Sequence, residues 1–222
     1  MNNEKILQKT IVFVKETLKE AEGGHDWFHI ERVFHNALLI AKNETVDPFI
    51  VALGALLHDI ADAKFHHGDE NKGPQMAFEF LSEQGVSIEV IEHIQNIIRH
   101  ISFKQTKDQL ASPFSSKELE VVRDADRLDA IGAIGIARAF NYGGFKNRSL
   151  YDPEIKPNLQ MTKEEYKNSK APTINHFYEK LLLLKDMMHT ETGKKMAEER
   201  HLFMIVFLRQ FALETGVNVL IC

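Results

Sequence analysis

The stretch from Val51 to Ile60 constrains this chain more than any other, because it is apolar on nearly all sides and a helix-start signal stands in front of it. Asp47 offers a carboxylate as N-cap, and Pro48 at the first helical position has the φ a helix requires and no N–H to leave unpaired. A helix without a polar stripe is buried all round. Other elements must therefore surround it, and this third helix is expected to be central.

Its neighbours also read as helices. Leu7, Ile11, Val14 and Leu18 recur at helical spacing until Gly23-Gly24 ends the first helix, and Asp26 caps a second. Gly73-Pro74 opens a short helix closed by Gly85. Ser87 starts another, on which Ile88, Ile91, Ile94, Ile98 and Ile101 mark a buried stripe. Ser115 and Glu118 form a capping box ahead of Leu119 to Asn141, one helix or two joined near Asp129, which Gly143-Gly144 stops. Residues 102 to 114 read as a loop. The segment 145–172 carries three prolines and no clear period, long enough for a loop to be functional. Helices over Thr173 to His189 and Thr192 to Glu214 finish the chain. No segment alternates as a half-buried strand would, so the expected class is all-α.

With 222 residues, 44% hydrophobic and 27% charged, the chain can bury one sizeable core. The expectation is a single helical-bundle domain over residues 1–222, its motif core at about 20–140 and the C-terminal helices 173–215 packed on it. No run of about 18 apolar residues occurs and Met1 to Lys9 is polar and charged rather than a basic segment followed by an apolar one, which argues against membrane insertion and secretion. Cys222 is the only cysteine, so an intrachain disulfide and a thiolate metal cluster are excluded, and the cytoplasm is the expected compartment. A net charge of −5 with dispersed Lys and Arg argues against extended nucleic acid as a partner, while a small anion in a local pocket is allowed. A homodimer is compatible with the sequence.

Three fragments carry candidate chemistry. His58-Asp59 interrupts the apolar third helix, where burying a carboxylate is costly unless a cation or a donor compensates. Adjacent helical positions differ by about 100° in direction, so both can reach one ion from the same edge. A hydrogen-bonded pair in a crowded core is the other reading, and the fragment alone leaves both open. Asp62, four residues after His58, shares their face at helical spacing. His29, one turn into the second helix, points inward with Val33, Ala37 and Ile40; His25 and His35 read as surface or cap histidines. In Arg123-Asp124-Ala125-Asp126-Arg127-Leu128-Asp129, Asp126 continues the stripe of Leu119 and Val122, whereas Asp124 and Asp129 read as capping, salt-bridging or outer groups.

His29, then His58-Asp59, then Asp126 within Ala125-Asp126-Arg127-Leu128, together resemble the HD superfamily of metal-dependent phosphohydrolases, whose fold is helical. The resemblance spans roughly residues 20–140. It implies that His29, His58, Asp59 and Asp126 are metal ligands. The fuller pattern of His25-Asp26-Trp27, Asp124 to Gly132, Asn141-Tyr142-Gly143-Gly144 and Arg148 to Pro153 is similar to the bacterial YpgQ-like branch, which implies nucleotide pyrophosphohydrolysis.

Two imidazoles and two carboxylates suit one divalent ion of Mn, Fe, Co, Ni or Zn better than Ca, with Mg also allowed. Such an ion activates water and polarises a phosphoryl group. Asp62 is then the carboxylate to orient or deprotonate that water, with His67 as a further catalytic candidate. Lys64, Lys104, Lys146 and Arg148 are the candidate cations for the phosphates, and His100 a candidate substrate contact. His66 has no role that spacing assigns, and His93 reads as structural. Met187, Met188 and Met204 read as core. The expected activity converts a nucleoside triphosphate to a monophosphate and pyrophosphate. The alternatives are a nucleotide phosphomonoesterase and a non-catalytic sensor that binds metal and nucleotide.

Overall fold

A computed structural model describes residues 2–21, 26–61, 69, 71–101, 114–162, 165 and 168–216. The described elements are α1 (Asn3–Thr17), α2 (Trp27–Ala41), α3 (Pro48–Leu57), α4 (Lys72–Glu83), α5 (Ile88–His100), α6 (Lys117–Asp129), α7 (Gly132–Phe145), α8 (Asn175–Glu179), a 3-10 segment (Leu181–Met187) and α9 (Glu191–Thr215). The described residues form no strand, and none of their helices is long and apolar enough to cross a membrane. The protein is all-α.

The chain divides into two compact units, Met1–Asp126 and Arg127–Cys222. In the first, α3 is central: every residue from Val51 to Leu57 is buried, and α1, α2 and α5 all pack on it. Its start follows the sequence signal, since the Asp47 carboxylate accepts the N–H groups of Phe49 and Ile50 at 2.8 and 3.3 Å. Its end does not. The helix stops at Leu57 rather than running through Ile60, and the Ile60 N–H bonds back to the Leu57 carbonyl. The His58 imidazole Nδ1–H donates to the Ala55 carbonyl at 2.9 Å, satisfying one of the orphan acceptors at the helix end.

Other expectations shift by a residue or a turn. The buried face of α5 is Ile91, Ile94, Ile97 and His100; Ile88 is exposed, because its position at the first turn of the helix carries it past the edge of the core. The capping hydroxyl of α6 is that of Ser116, which accepts the Leu119 N–H at 3.1 Å, so the box expected from Ser115 does not form. Glu118 instead accepts the Asp47 N–H at 3.0 Å and ties α6 to the start of α3.

In the second unit α7 packs on α9, and so does the 3-10 segment. Gly132 begins α7 at φ 73°, a conformation only glycine takes without strain, which breaks the helical pattern into the two helices foreseen near Asp129. The carbonyls ending α6 are taken by arginines: Arg200 donates to Leu128 and Arg138 to Asp129, whose buried carboxylate also pairs with Arg138. α7 continues to Phe145 past Gly143-Gly144, and the expected helix over 173–189 is a short α8 followed by the 3-10 segment. The buried Phe177 and the half-buried Phe140, Phe207 and Phe211 form a cluster in this unit, with contacting ring centroids 5.7 to 6.5 Å apart. Met188 and Met204 are buried, as expected of core residues.

Candidate metal centre

Three helices of the first unit bring donors together. The Asp26 carboxylate accepts the His29 N–H at 2.9 Å, fixing the first turn of α2 so that the His29 side chain enters the interior. His58 sits at the C-terminal end of α3. Asp126 sits on α6, whose attachment to α2 includes an Asn36 side-chain amide donating to the Ala125 carbonyl at 3.5 Å.

One ligand atom from each of His29, His58 and Asp126 lies within 4.8 Å of the others. His29 Nε2 is 3.5 Å and His58 Nε2 3.9 Å from Asp126 Oδ1, and the two imidazole rings meet edge to face at 5.5 Å. Donor atoms that share one divalent ion with bonds of about 2.0 to 2.1 Å stand roughly 3 to 3.5 Å apart, so the three side chains would draw somewhat closer to hold one. The donor set fits in kind as well, for nitrogen and oxygen together suit divalent ions of the transition series. Because His58 Nδ1–H is committed to the Ala55 carbonyl, Nε2 carries the lone pair, the arrangement in which metal-ligating histidines are oriented by their other nitrogen.

The histidine side chains are 3% and 4% exposed and that of Asp126 is 42% exposed. The imidazoles therefore form the closed floor of the centre and the carboxylate its open side, where a small ligand can approach. The expectation that Asp126 is the acid facing the interior is corrected: the buried acids of α6 are Asp124 and Asp129.

Asp59 is half-buried and is not one of the three converging donors among the described residues. The expected catalytic residues Asp62 and His67, the cations Lys64 and Lys104, and His66 lie outside the described residues.

Other candidates have identifiable employment. His100 is buried at the end of α5 with Nδ1–H donated to the Asn96 carbonyl at 2.8 Å, and Arg123 grips its carbonyl with Nε and Nη2 at 3.1 and 2.5 Å. Arg123 was not singled out from sequence. Its place three residues before Asp126 on α6 was the available signal, and it locks the end of α5 to the ligand-bearing helix. His93 Nε2 lies 2.9 Å from Ser116 Oγ and 3.6 Å from Glu118, a structural tie as expected. His35 is exposed.

Lys146 and Arg148 belong to the second unit. Lys146 is exposed and lies over the rings of Tyr142 and Phe145, at 5.6 and 5.0 Å. Arg148 donates to the Ser169 carbonyl at 2.6 Å and also lies over Tyr142. Beside it, burial, together with the charges of Lys180 and Arg148, pushes His176 down to about 4. Burial raises Glu179, against the opposing pull of the Asn158 N–H and Arg148.

Comparison with known proteins agrees with this geometry. Residues 27–131, which include all three converging donors, match the HD domain family. YpgQ of Bacillus subtilis is 39% identical over 198 residues, covering 89% of this chain and 88% of YpgQ. A crystal structure of an HD-superfamily hydrolase from Bacillus thuringiensis superposes with a TM-score of 0.78 at 40% identity, over 98% of this chain and all of that one. The structure of B. subtilis YpgQ in complex with ADP gives 0.75 at 35% identity, over 96% and 97% of the two chains.

Proposed function

This chain belongs to the HD superfamily of hydrolases, and from that premise we propose that it hydrolyses a phosphoanhydride of a nucleoside triphosphate, releasing a nucleoside monophosphate and pyrophosphate. The observation that carries the reading is the convergence of His29, His58 and Asp126, with its open side at the carboxylate. The complex of YpgQ with ADP supports a nucleotide as the ligand class.

In this reading His29, His58 and Asp126 hold one divalent cation, with Asp59 as the fourth proposed ligand. The cation supplies Lewis-acid activation of water and of a phosphoryl oxygen. The chain's own residues do the rest. His58, anchored through Nδ1 to Ala55, keeps its donor nitrogen fixed while substrate comes and goes, and Asp126 faces the side from which the phosphates arrive. Asp62 is the proposed general base. His67 is a proposed proton carrier, His100 a proposed substrate contact, and Lys64 and Lys104 the proposed counter-charges to the phosphates.

The test is a panel of ribo- and deoxyribonucleoside triphosphates incubated with the protein and Mn, Mg, Co, Ni or Zn, the products being separated by chromatography. Monophosphate together with pyrophosphate is the expected pair. Inorganic phosphate without pyrophosphate would instead assign a phosphomonoesterase. Binding without turnover under every metal would assign a nucleotide sensor.

A further inference from the structure

The last turn of α7 and the three residues after it carry two cations and two largely exposed rings. Asn147 adopts the left-handed conformation at φ 53°, which asparagine tolerates at a helix end. Its N–H donates to the Gly144 carbonyl at 3.0 Å and the Arg148 N–H to the Gly143 carbonyl at 2.8 Å, which turns the chain back over the helix. Both cations thereby meet one ring. The Lys146 ammonium lies 5.6 Å from the Tyr142 centroid and 5.0 Å from that of Phe145, and the Arg148 guanidinium lies 5.6 Å from Tyr142. Contacts of this kind occur about once per 70 to 80 residues, so three of them between residues 142 and 148 are a concentration to explain.

The dipole of α7 favours cations after its C-terminus, which accounts for Lys146 and Arg148 taken alone. It leaves the rings unexplained. Tyr142 is 52% and Phe145 68% exposed, and a Cβ added at Gly144 would meet nothing within 4 Å, so the surface beside them is open. The charges are also uncompensated, since among the described residues neither cation has a carboxylate partner. Glu179 feels the Arg148 charge but spends Oε1 on the Asn158 N–H at 3.1 Å. Arg148 gives Nη2 to the Ser169 carbonyl, which fixes the guanidinium without neutralising it.

We propose that this surface binds a nucleoside polyphosphate without any metal ion, the base stacked on Phe145 and the phosphates held by Lys146 and Arg148. Inorganic phosphate would leave the rings bare, and an apolar peptide would leave the charges bare; a nucleotide answers both. Lys146 covers only one face of Phe145, and the other is left for the base. Arg148 meets phosphate as a planar fork and Lys146 as a mobile point charge. Every base has a π-face, so purine and pyrimidine nucleotides should both bind, with only modest preference among them.

The full chain, kept in chelator so that no ion is bound and no turnover occurs, is titrated with ATP by isothermal calorimetry. Saturable binding is expected. Phe145→Ala should weaken it about 10-fold or more, as the loss of one stacked base does, and Phe145→Trp should keep it. Phe145 and Lys146 are exposed, so these replacements leave the packing alone. Lys146→Glu should weaken binding by a similar factor, as should Arg148→Gln, whose amide can still donate to Ser169, and raised salt should weaken the wild type. Adenosine and tripolyphosphate, each one half of the ligand, should compete poorly. No saturable heat up to about 1 mM ATP overturns the proposal. Binding that Phe145→Ala, Lys146→Glu and Arg148→Gln all leave unchanged also overturns it, since the nucleotide then sits elsewhere on the chain. Tripolyphosphate as tight as ATP, with indifference to Phe145→Ala, overturns the nucleotide and leaves an anion patch. Because no turnover enters the measurement, failure of the hydrolytic reading and failure of this one are separate results.

Discussion

His58 closes a helix and offers a donor with one side chain, and the two roles depend on different nitrogens. Nδ1 serves the Ala55 carbonyl at 2.9 Å, which leaves Nε2 for an ion. His58→Ala and Asp126→Ala should therefore each abolish stoichiometric metal in the purified protein, read by elemental analysis. Asp59→Ala separates the two readings of that residue. Loss of metal would make it the fourth ligand, whereas retained metal would limit the set to the three converging donors. Asp62 is tested differently, because Asn keeps its size and removes only its basicity. Asp62→Asn should retain metal while turnover falls by about 10² to 10⁴-fold, the usual range for a general base and worth roughly 3 to 5 kcal/mol of barrier. Full turnover with metal bound would transfer the role to another group, and His67 would be the next residue to replace.

Among the elements, α3 links the stability of the first unit to the geometry of the metal centre. Gly54 lies one turn before His58, and a Cβ built there would stand 3.1 Å from Ile97 Cδ1 on α5 and 3.3 Å from Val122 Cγ2 on α6. Gly54→Val adds more atoms than that space holds. It should cost about 1 to 3 kcal/mol by overpacking, read from the urea midpoint, and should weaken metal retention because α3 must shift with His58 at its end. A variant as stable and as metal-loaded as wild type would show that the three helices repack freely. The sequence made this central helix legible because an apolar run behind Asp47-Pro48 has few alternatives, and His29 and His58 were legible as interruptions of apolar faces. The end of α3 was not, since it depends on a side-chain bond from His58 to its own helix. Burial of Asp124 and Asp129 instead of Asp126 was likewise hidden, because three acids within six residues of one helix carry no mark of which has an arginine or a histidine waiting. Asp129 has Arg138, supplied by the next helix.

For the whole molecule, the testable property is how stability responds to pH, and His176 in the second unit gives it a sign. Burial, reinforced by Lys180 and Arg148, lowers this imidazole from its ordinary 6.5 to about 4. Between those values the unfolded chain binds a proton that the folded chain refuses. Stability therefore rises with pH across that window, is fully present above it, and the loss is complete once pH falls below the folded value. Glu179 acts in the opposite sense, because its raised pKa lets the folded chain keep a proton longer, and its partial exposure makes its effect the smaller one. For His176 that lowering corresponds to at most about 3 to 4 kcal/mol, at 1.36 kcal/mol per pH unit. Acid also strips protons' competitors from any metal centre, so the wild-type profile alone would mix two causes. His176→Gln removes only the first. Urea unfolding of both proteins at intervals from pH 4 to pH 7.5, with chelator present throughout, should show the wild type losing more stability than the variant as the medium is acidified, the gap opening below about pH 6.5 and levelling near 4. Two profiles that run parallel over that range would mean that His176 takes up its proton as readily in the folded chain as in the unfolded one.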